Sequence, residues 1–270
     1  MLHHPTMTIA TDKQEANDKL AKAAKNIGSN SYMAEPFDAD FRGRLKMGVL
    51  GNYCLNSANA HADSHGFGID YLNANNYTWV LSRITFEINE MPGEHEHFTI
   101  ETWVDTVRRY FTKRNFAITG DDGKVYGCAT SIWAMIDVGT RQPADLLSLH
   151  EGTLAACVVE GKPCPVNSFS RGKQMPDTLQ TTLTVKYGDI DINGHMNSVR
   201  YIEHILDLFP LERYKSQHIS RFEIVYSAEC FFGDELHFYM EESAPNEHQV
   251  EIRRPEGDSV CKAKVLFADN

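Results

Sequence analysis

The chain repeats itself. "DADFRGRLKMGVLGNY", from Asp38, and "DIDINGHMNSVRYIEH", from Asp189, both read D-x-D-x-x-G followed by a basic and an apolar residue, 151 positions apart. "SRITFEI" from Ser82 returns as "SRFEIVY" from Ser220, 138 positions on, and "GEHEHFTI" from Gly93 returns as "GDELHFYM" from Gly233, 140 positions on. Matches in one order at nearly constant offset mark a duplicated unit, so the fold must be built twice. The offset change is absorbed by a longer loop in the first copy, around "HADSHGFGIDYLNANNYT".

Each copy has the same grammar. Leu183, Val185 and Tyr187 alternate with polar residues, as in a half-buried strand. A glycine turn follows, at Gly194 or Gly43, and then a helix. Met196, Val199, Ile202, Ile205, Leu206 and Phe209 form one apolar stripe in copy two; Leu45, Leu50, Cys54, Leu55, Ala58 and His61 form it in copy one. Strands rich in β-branched and aromatic residues come next: "TWVLSRITFEI", "HFTIETWVDTV", "RNFAITG" and "VYGCATSIWAMIDV", then "RFEIVYSAEC", "ELHFYMEES", "HQVEIRR" and "SVCKAKVLFA". The class is therefore α+β, with one long helix covering a mostly antiparallel sheet in each half. The expected division is a leader over 1–30, a first unit over 31–144, a connector over 145–178 and a second unit over 179–270.

Duplication supplies an internal control. Asp38 matches Asp189 and Asp40 matches Asp191, but Arg42 stands against Asn193, Arg44 against His195 and Met91 against Glu229. Arginine stays protonated and is a poor general base, so one active site per chain is expected, on copy two. There a helix N-terminus offers unpaired N–H groups and Asn193 adds an amide donor. His195 can take a proton near neutral pH, and Asp191 can hold a water or act as nucleophile. Plain turn capping is the competing account of Asp189, and it also has weight for Asp191, since Asp40 persists in copy one. A metal is not expected: His204, nine residues beyond His195, is off ligand spacing.

A net charge of −11 disfavours binding to nucleic acid. Cys54, Cys128, Cys157, Cys164, Cys230 and Cys261 form no C-x-x-C pair and suit a reducing, cytoplasmic setting. No apolar stretch is long enough to span a membrane, and the first thirty residues lack the apolar run of a secretory signal.

"DIDINGHMNSVRYIEHILD", "TWVLSRITFEI", "IETWVDTVRRYFTKRNFAI" and "SIWAMIDVGTRQPADL" resemble the acyl-ACP thioesterases of bacteria and plants, over roughly 31–268. The resemblance implies a tandem double hotdog, each half a sheet wrapped around a central helix. It also implies hydrolysis of the thioester between a fatty acyl chain and acyl carrier protein, with no cofactor. Carried over by motif, the catalytic residues are Asp191, Asn193, His195 and Glu229, the last standing 34 residues after the histidine. Two schemes stay open: His195 and Glu229 activating water, or Asp191 attacking or orienting. A papain-like set of Cys230, His195 and Asn193 is a third. With no plastid transit peptide, a bacterial cytosolic enzyme is the better picture. Rival readings are an acyl-CoA thioesterase, a hotdog enoyl-thioester hydratase or dehydratase (whose motif usually carries Pro where Gly194 stands) and a non-catalytic acyl-thioester binder. The first half is expected to hold the acyl chain, with Met47, Leu50, Cys54 and Ala58 either lining that pocket or serving as core.

The carrier partner is acidic as a class, so docking on this acidic chain calls for local positive charge. Lys186 and Arg200, flanking the catalytic turn, are expected to supply it. Arg108, Arg109, Lys113 and Arg114 of "RRYFTKR", and Arg171 and Lys173 of the connector, are the other basic groups. Whether two chains pair as a homodimer is left open by the sequence.

Overall fold

The computed structural model describes residues 24–168 and 176–270. The earlier leader and the connector's Arg171 and Lys173 lie outside them.

The duplication is realised strand by strand. Copy one runs β1 (Ile27–Met33), α1 (Met47–Ser64), α2 (Ile69–Asn75), β2 (Tyr77–Ile88), β3 (His97–Val107), β4 (Thr112–Gly120) and β5 (Val125–Asp137). A short connector helix, α3 (Thr153–Ala156), precedes copy two. Copy two repeats the pattern as β6 (Leu179–Thr184), α4 (Ser198–Leu206), α5 (Leu211–Ser216), β7 (Gln217–Tyr226), β8 (Glu235–Ala244), β9 (Glu247–Arg253) and β10 (Ser259–Asp269). All ten strands form one sheet in the order β1-β3-β4-β5-β2-β7-β10-β9-β8-β6, with antiparallel neighbours throughout. The halves join through β2 and β7, where Thr85 faces Glu223 and Ile84 faces Ile224. Since Ser82 and Ser220 correspond, Thr85 and Glu223 are equivalent residues, and a pseudo-two-fold axis passes between them.

One core serves both halves. Leu50, Cys54 and Ala58 of α1 and Ile202 and Ile205 of α4 pack with Phe86, Phe98, Phe116, Phe222 and Phe238 of the sheet. The helices meet through glycine: a Cβ on Gly48 would lie 2.6 Å from Glu203 Cγ, and one on Gly51 would lie 3.4 Å from Val199 Cγ2. A side chain at Gly48 would have to displace the Glu203 side chain that lies over it. This is the tandem double hotdog that the repeat and the resemblance imply.

Three local expectations are corrected. The leader was expected through residue 30, yet β1 begins at Ile27 and pairs with β3 from Ile27 to Trp103 onward, so the first unit starts earlier. β6 ends at Thr184, and Tyr187 stands 90% exposed in a 3₁₀ turn rather than in the strand. The Asp189 carboxylate accepts the Lys186 N–H at 2.9 Å and folds the chain back there. The second copy's helix is half the length of the first, because Pro210 disfavours helical geometry at Phe209 and a new turn, α5, starts after it. The connector is also more than a tether. Leu154 and Cys157 join a small second cluster with Phe67 and Leu146, and Lys162 pairs with Glu101 at 2.9 Å.

Candidate active site

The turn before α4 is built by one aspartate. Asp191 Oδ1 accepts the N–H of Asn193 at 2.8 Å and of His195 at 3.3 Å, while Asp191 N–H reaches His195 O at 2.8 Å. Copy one repeats these contacts: Asp40 Oδ1 accepts from Arg42 N–H at 2.8 Å and from Arg44 N–H at 3.2 Å. Gly194 sits at φ +80° and Gly43 at +67°, a region that disfavours any side chain. The backbone is thus the same in both copies, and only the side chains it displays differ.

Glu229 is brought to this turn from the loop after β7, not from the strand itself, which ends at Tyr226. Met196 N–H donates to Cys230 O at 2.8 Å, as Leu45 N–H donates to Pro92 O at 2.9 Å in copy one. That bond sets Glu229 Oε1 3.6 Å from His195 Nδ1. Phe231 packs edge-on against the imidazole, with ring centroids 5.1 Å apart. Cys230 is fully buried, and burial raises its thiol above the usual range.

Asp191, Asn193, His195 and Glu229 line one open cavity of about 660 Å³, whose other walls come from both copies, among them Tyr201 and Tyr226 of copy two and Leu55, Trp79 and Trp133 of copy one. The Asn193 amide has no partner among the described residues, and Asn197 caps α4 by accepting Val199 N–H at 2.8 Å. Ser198 N–H, in the first helical turn, has no intrahelical acceptor. The histidine with its lone pair, the carboxylate behind it and these donors can activate a water and hold a developing oxyanion.

Arg141, missed in the sequence, lines the same cavity and pairs with Glu229 Oε2 at 2.7 Å. It sits in the turn after β5 at φ +59°, where its N–H donates to Asp137 O at 2.8 Å. Its only signal was a basic residue within "VGTRQPADL"; nothing in the spacing linked it to Glu229.

Lys186 and Arg200 do not line the cavity. Arg200 donates to Gly188 O at 3.1 Å, pairs with Glu203 and lies 3.6 Å from Asp189, so it braces the 3₁₀ turn. Asp189 is a cap, as its persistence in copy one suggested, and it also holds His204 at 2.9 Å. Among the described residues no group of three or more His, Cys, Asp or Glu could hold a metal ion. Of the four α1 residues considered for the acyl pocket, Met47, Leu50 and Cys54 are core. Ala58 lines a second cavity of about 90 Å³ that shares Leu55, Trp79 and Trp133 with the first and reaches the surface at Asn59.

The double role of Asp191 can be separated. Asparagine keeps the Oδ1 acceptor that the turn needs but is no nucleophile. Asp191→Asn is expected to retain activity within about tenfold, whereas Asp191→Ala loses about a hundredfold because the turn loosens. A steady-state comparison of the two variants checks this; equal losses would make the carboxylate a direct participant.

The chain is 51% identical to an acyl-ACP thioesterase from Bacteroides thetaiotaomicron VPI-5482, whose solved structure superposes with a TM-score of 0.85 over 91% of this chain and 99% of that one. A 12:0-ACP thioesterase from Umbellularia californica, 18% identical, shares the fold with a TM-score of 0.79 over 91% of this chain and 98% of that one. The oleoyl-acyl carrier protein thioesterase 2 of Arabidopsis thaliana is 29% identical over 178 residues, 63% of this chain and 48% of that protein. Across the first plant relatives the aligned part of the chain spans 38% to 50% of their length. Residues 26–148 match the acyl-ACP thioesterase N-terminal domain and residues 172–269 the C-terminal domain, and with both copies accounted for the chain belongs to the acyl-ACP thioesterase family.

Proposed function

We propose that the chain hydrolyses the thioester of fatty acyl groups carried on acyl carrier protein, releasing a free fatty acid and the carrier thiol and so ending acyl-chain elongation. The observation that carries this reading is the pairing of His195 with Glu229 over a large cavity, on the copy whose counterpart holds Arg44 and Met91 instead. Glu229 faces Nδ1, which favours a proton there and leaves Nε2 to take one from water. The water oxygen then attacks the thioester carbonyl, and its proton passes to His195. Asn193 and the Ser198 N–H face the charge that develops on oxygen. Collapse breaks the C–S bond, and His195 returns the proton to the leaving thiolate. The acyl chain has room to run past Trp79 and Trp133 into the second cavity, between copy one and the connector. Six free thiols favour placing the enzyme in the cytoplasm. The pseudo-two-fold pairing of β2 with β7 already joins two hotdogs, so the site needs no second chain to complete it.

The hydratase alternative is disfavoured by Gly194, because proline is held near φ −65° and cannot adopt the +80° found there. Incubation with acyl-ACP of graded chain length, with acyl-CoA alongside, tests the reading. Free thiol from acyl-ACP is expected; no thiol from any donor, or hydration of an enoyl substrate instead, would refute it.

Carrier docking narrows to fewer cations than the sequence offered. Arg109 pairs with Asp145 at 2.9 Å, Lys113 lies 3.4 Å from Asp105, and Arg114 is buried, so of the "RRYFTKR" cations Arg108 alone is exposed with no ion pair among the described residues. Arg200 is largely neutralised by Glu203 and Asp189. Lys186 stays exposed beside the turn. Lys186→Glu is expected to raise KM for acyl-ACP about two- to fivefold at low salt, with the gap closing as salt rises, since rim charges act on encounter. Hydrolysis of a small uncharged thioester should not change; parallel losses on both substrates would remove Lys186 from the docking surface.

A further inference from the structure

The second cavity contains a charge with no counter-charge among the described residues. Its walls are mainly apolar, among them Leu55, Ala58, Phe67 and Leu154, yet Arg114 of β4 also lines it. The Arg114 residue is only 8% exposed, and among the described residues no carboxylate pairs with it. Its Nη1 donates to His61 Nδ1 at 3.2 Å and to Thr102 Oγ1 at 3.2 Å. Asn26 O, which can only accept, lies 2.9 Å from His61 Nε2, so the proton of the imidazole is on Nε2 and Nδ1 is free to accept from Arg114. Both partners are therefore neutral. Burial lowers the Arg114 guanidinium to about 10, still protonated at neutral pH. Burial, then the nearby guanidinium, lowers His61 to about 4, so it stays uncharged. Nε and Nη2 of Arg114 have no partner among the described residues. Arg114 does not line the catalytic cavity, so a chain entering past Trp79 and Trp133 meets it beyond them.

We propose that Arg114 is the stop that limits the length of acyl chain this enzyme accepts. The proposal rests on the thioesterase reading and adds a determinant of specificity to it. A cavity of about 90 Å³ with polar donors on one wall has room for water. A methyl end pushed against the guanidinium displaces that water and supplies no acceptor, and stripping a charge that has no counter-ion among the described residues outweighs the gain from burying more methylene. A chain that ends short of Arg114 avoids that cost. A chain of the first rejected length with a terminal hydroxyl gives the guanidinium an acceptor and avoids it too.

The test is kcat/KM across a saturated acyl-ACP series for wild type, Arg114→Met and Arg114→Lys, with melting curves to establish folding. Methionine removes the charge at similar length. Arg114→Met is expected to move the optimum two or more carbons longer, raising the long-to-short ratio of kcat/KM about tenfold, roughly the value of burying two further methylenes. Arg114→Lys should keep the wild-type limit. An unchanged optimum in folded Arg114→Met, with only a lower Tm, would overturn the proposal and leave Arg114 as a brace between α1 and the sheet. If Arg114→Met does not fold, the wild type decides: at the first rejected length, a terminal hydroxyl must restore kcat/KM, and equal rates for methyl and hydroxyl ends overturn the stop. A wild type inactive on every acyl-ACP would refute the thioesterase reading instead. The stop is then judged by binding of free fatty acids to the full chain, where equal affinity for methyl and ω-hydroxy acids of limiting length overturns it.

Discussion

Replacement of His195 by alanine is expected to lower kcat on acyl-ACP by at least about a hundredfold while the protein keeps its fold, the usual loss when a general base is removed. The imidazole is not a packing residue. It is partly exposed at the cavity wall, held by its own backbone N–H to Asp191 Oδ1 and touched by the edge of Phe231. Its removal leaves the hydrogen bonds of the turn in place, so the melting temperature should move little. The pseudo-symmetric change, Arg44→Ala, is the control. Arg44 pairs with Glu90 at 2.7 Å and donates to Met91 O at 3.2 Å, on the opposite side of the pseudo-axis. Its loss should leave the chemical step intact. Near-normal turnover in His195→Ala, measured by thiol release, would move the site off copy two.

Glu229 and Cys230 are neighbours in the chain, but only one of them reaches the cavity. Glu229→Ala is expected to lose about a hundredfold in kcat, because the imidazole loses the carboxylate that orients it and stabilises its charged form. Cys230→Ala should keep most activity and lose a modest amount of stability, as befits a small buried side chain with a raised thiol. A covalent acyl-cysteine trapped on Cys230 would reverse the assignment. Arg141 joins this prediction. It grips the other Glu229 oxygen from the first copy, so its removal should weaken kcat less than loss of Glu229 and more than loss of Cys230. If so, the copy without a base still contributes to the site of the copy that has one.

Much of the architecture was written locally. The D-x-D-x-x-G repeat, the alternation in "HFTIETWVDTV" and the apolar stripe of "MNSVRYIEHIL" predicted duplicated units, strands and helices, because backbone period and turn geometry depend on near neighbours in the chain. The contrast of Arg44 with His195 and Met91 with Glu229 set the two copies apart for the same reason: equivalent backbones display different side chains. Where local signals competed, the sequence misled. Tyr187 continued an alternation that the Asp189 cap interrupts, and the polar start of the chain hid β1, whose partner strand lies some seventy residues on. Arg200 looked free for docking until Asp189 and Glu203 were folded around it.

Only the tertiary structure decided how the two copies use one another. The sequence by itself determined that there are two hotdogs and which one holds His195. Their joining through β2 and β7 puts Arg141 on Glu229 and makes Trp79 and Trp133 the common wall between the catalytic cavity and the chamber with Arg114. Those contacts join residues far apart in the chain, and their energies come from burial and charge pairing across an interface. No period or spacing along the sequence encodes such terms, so they become legible only when the two sheets are one.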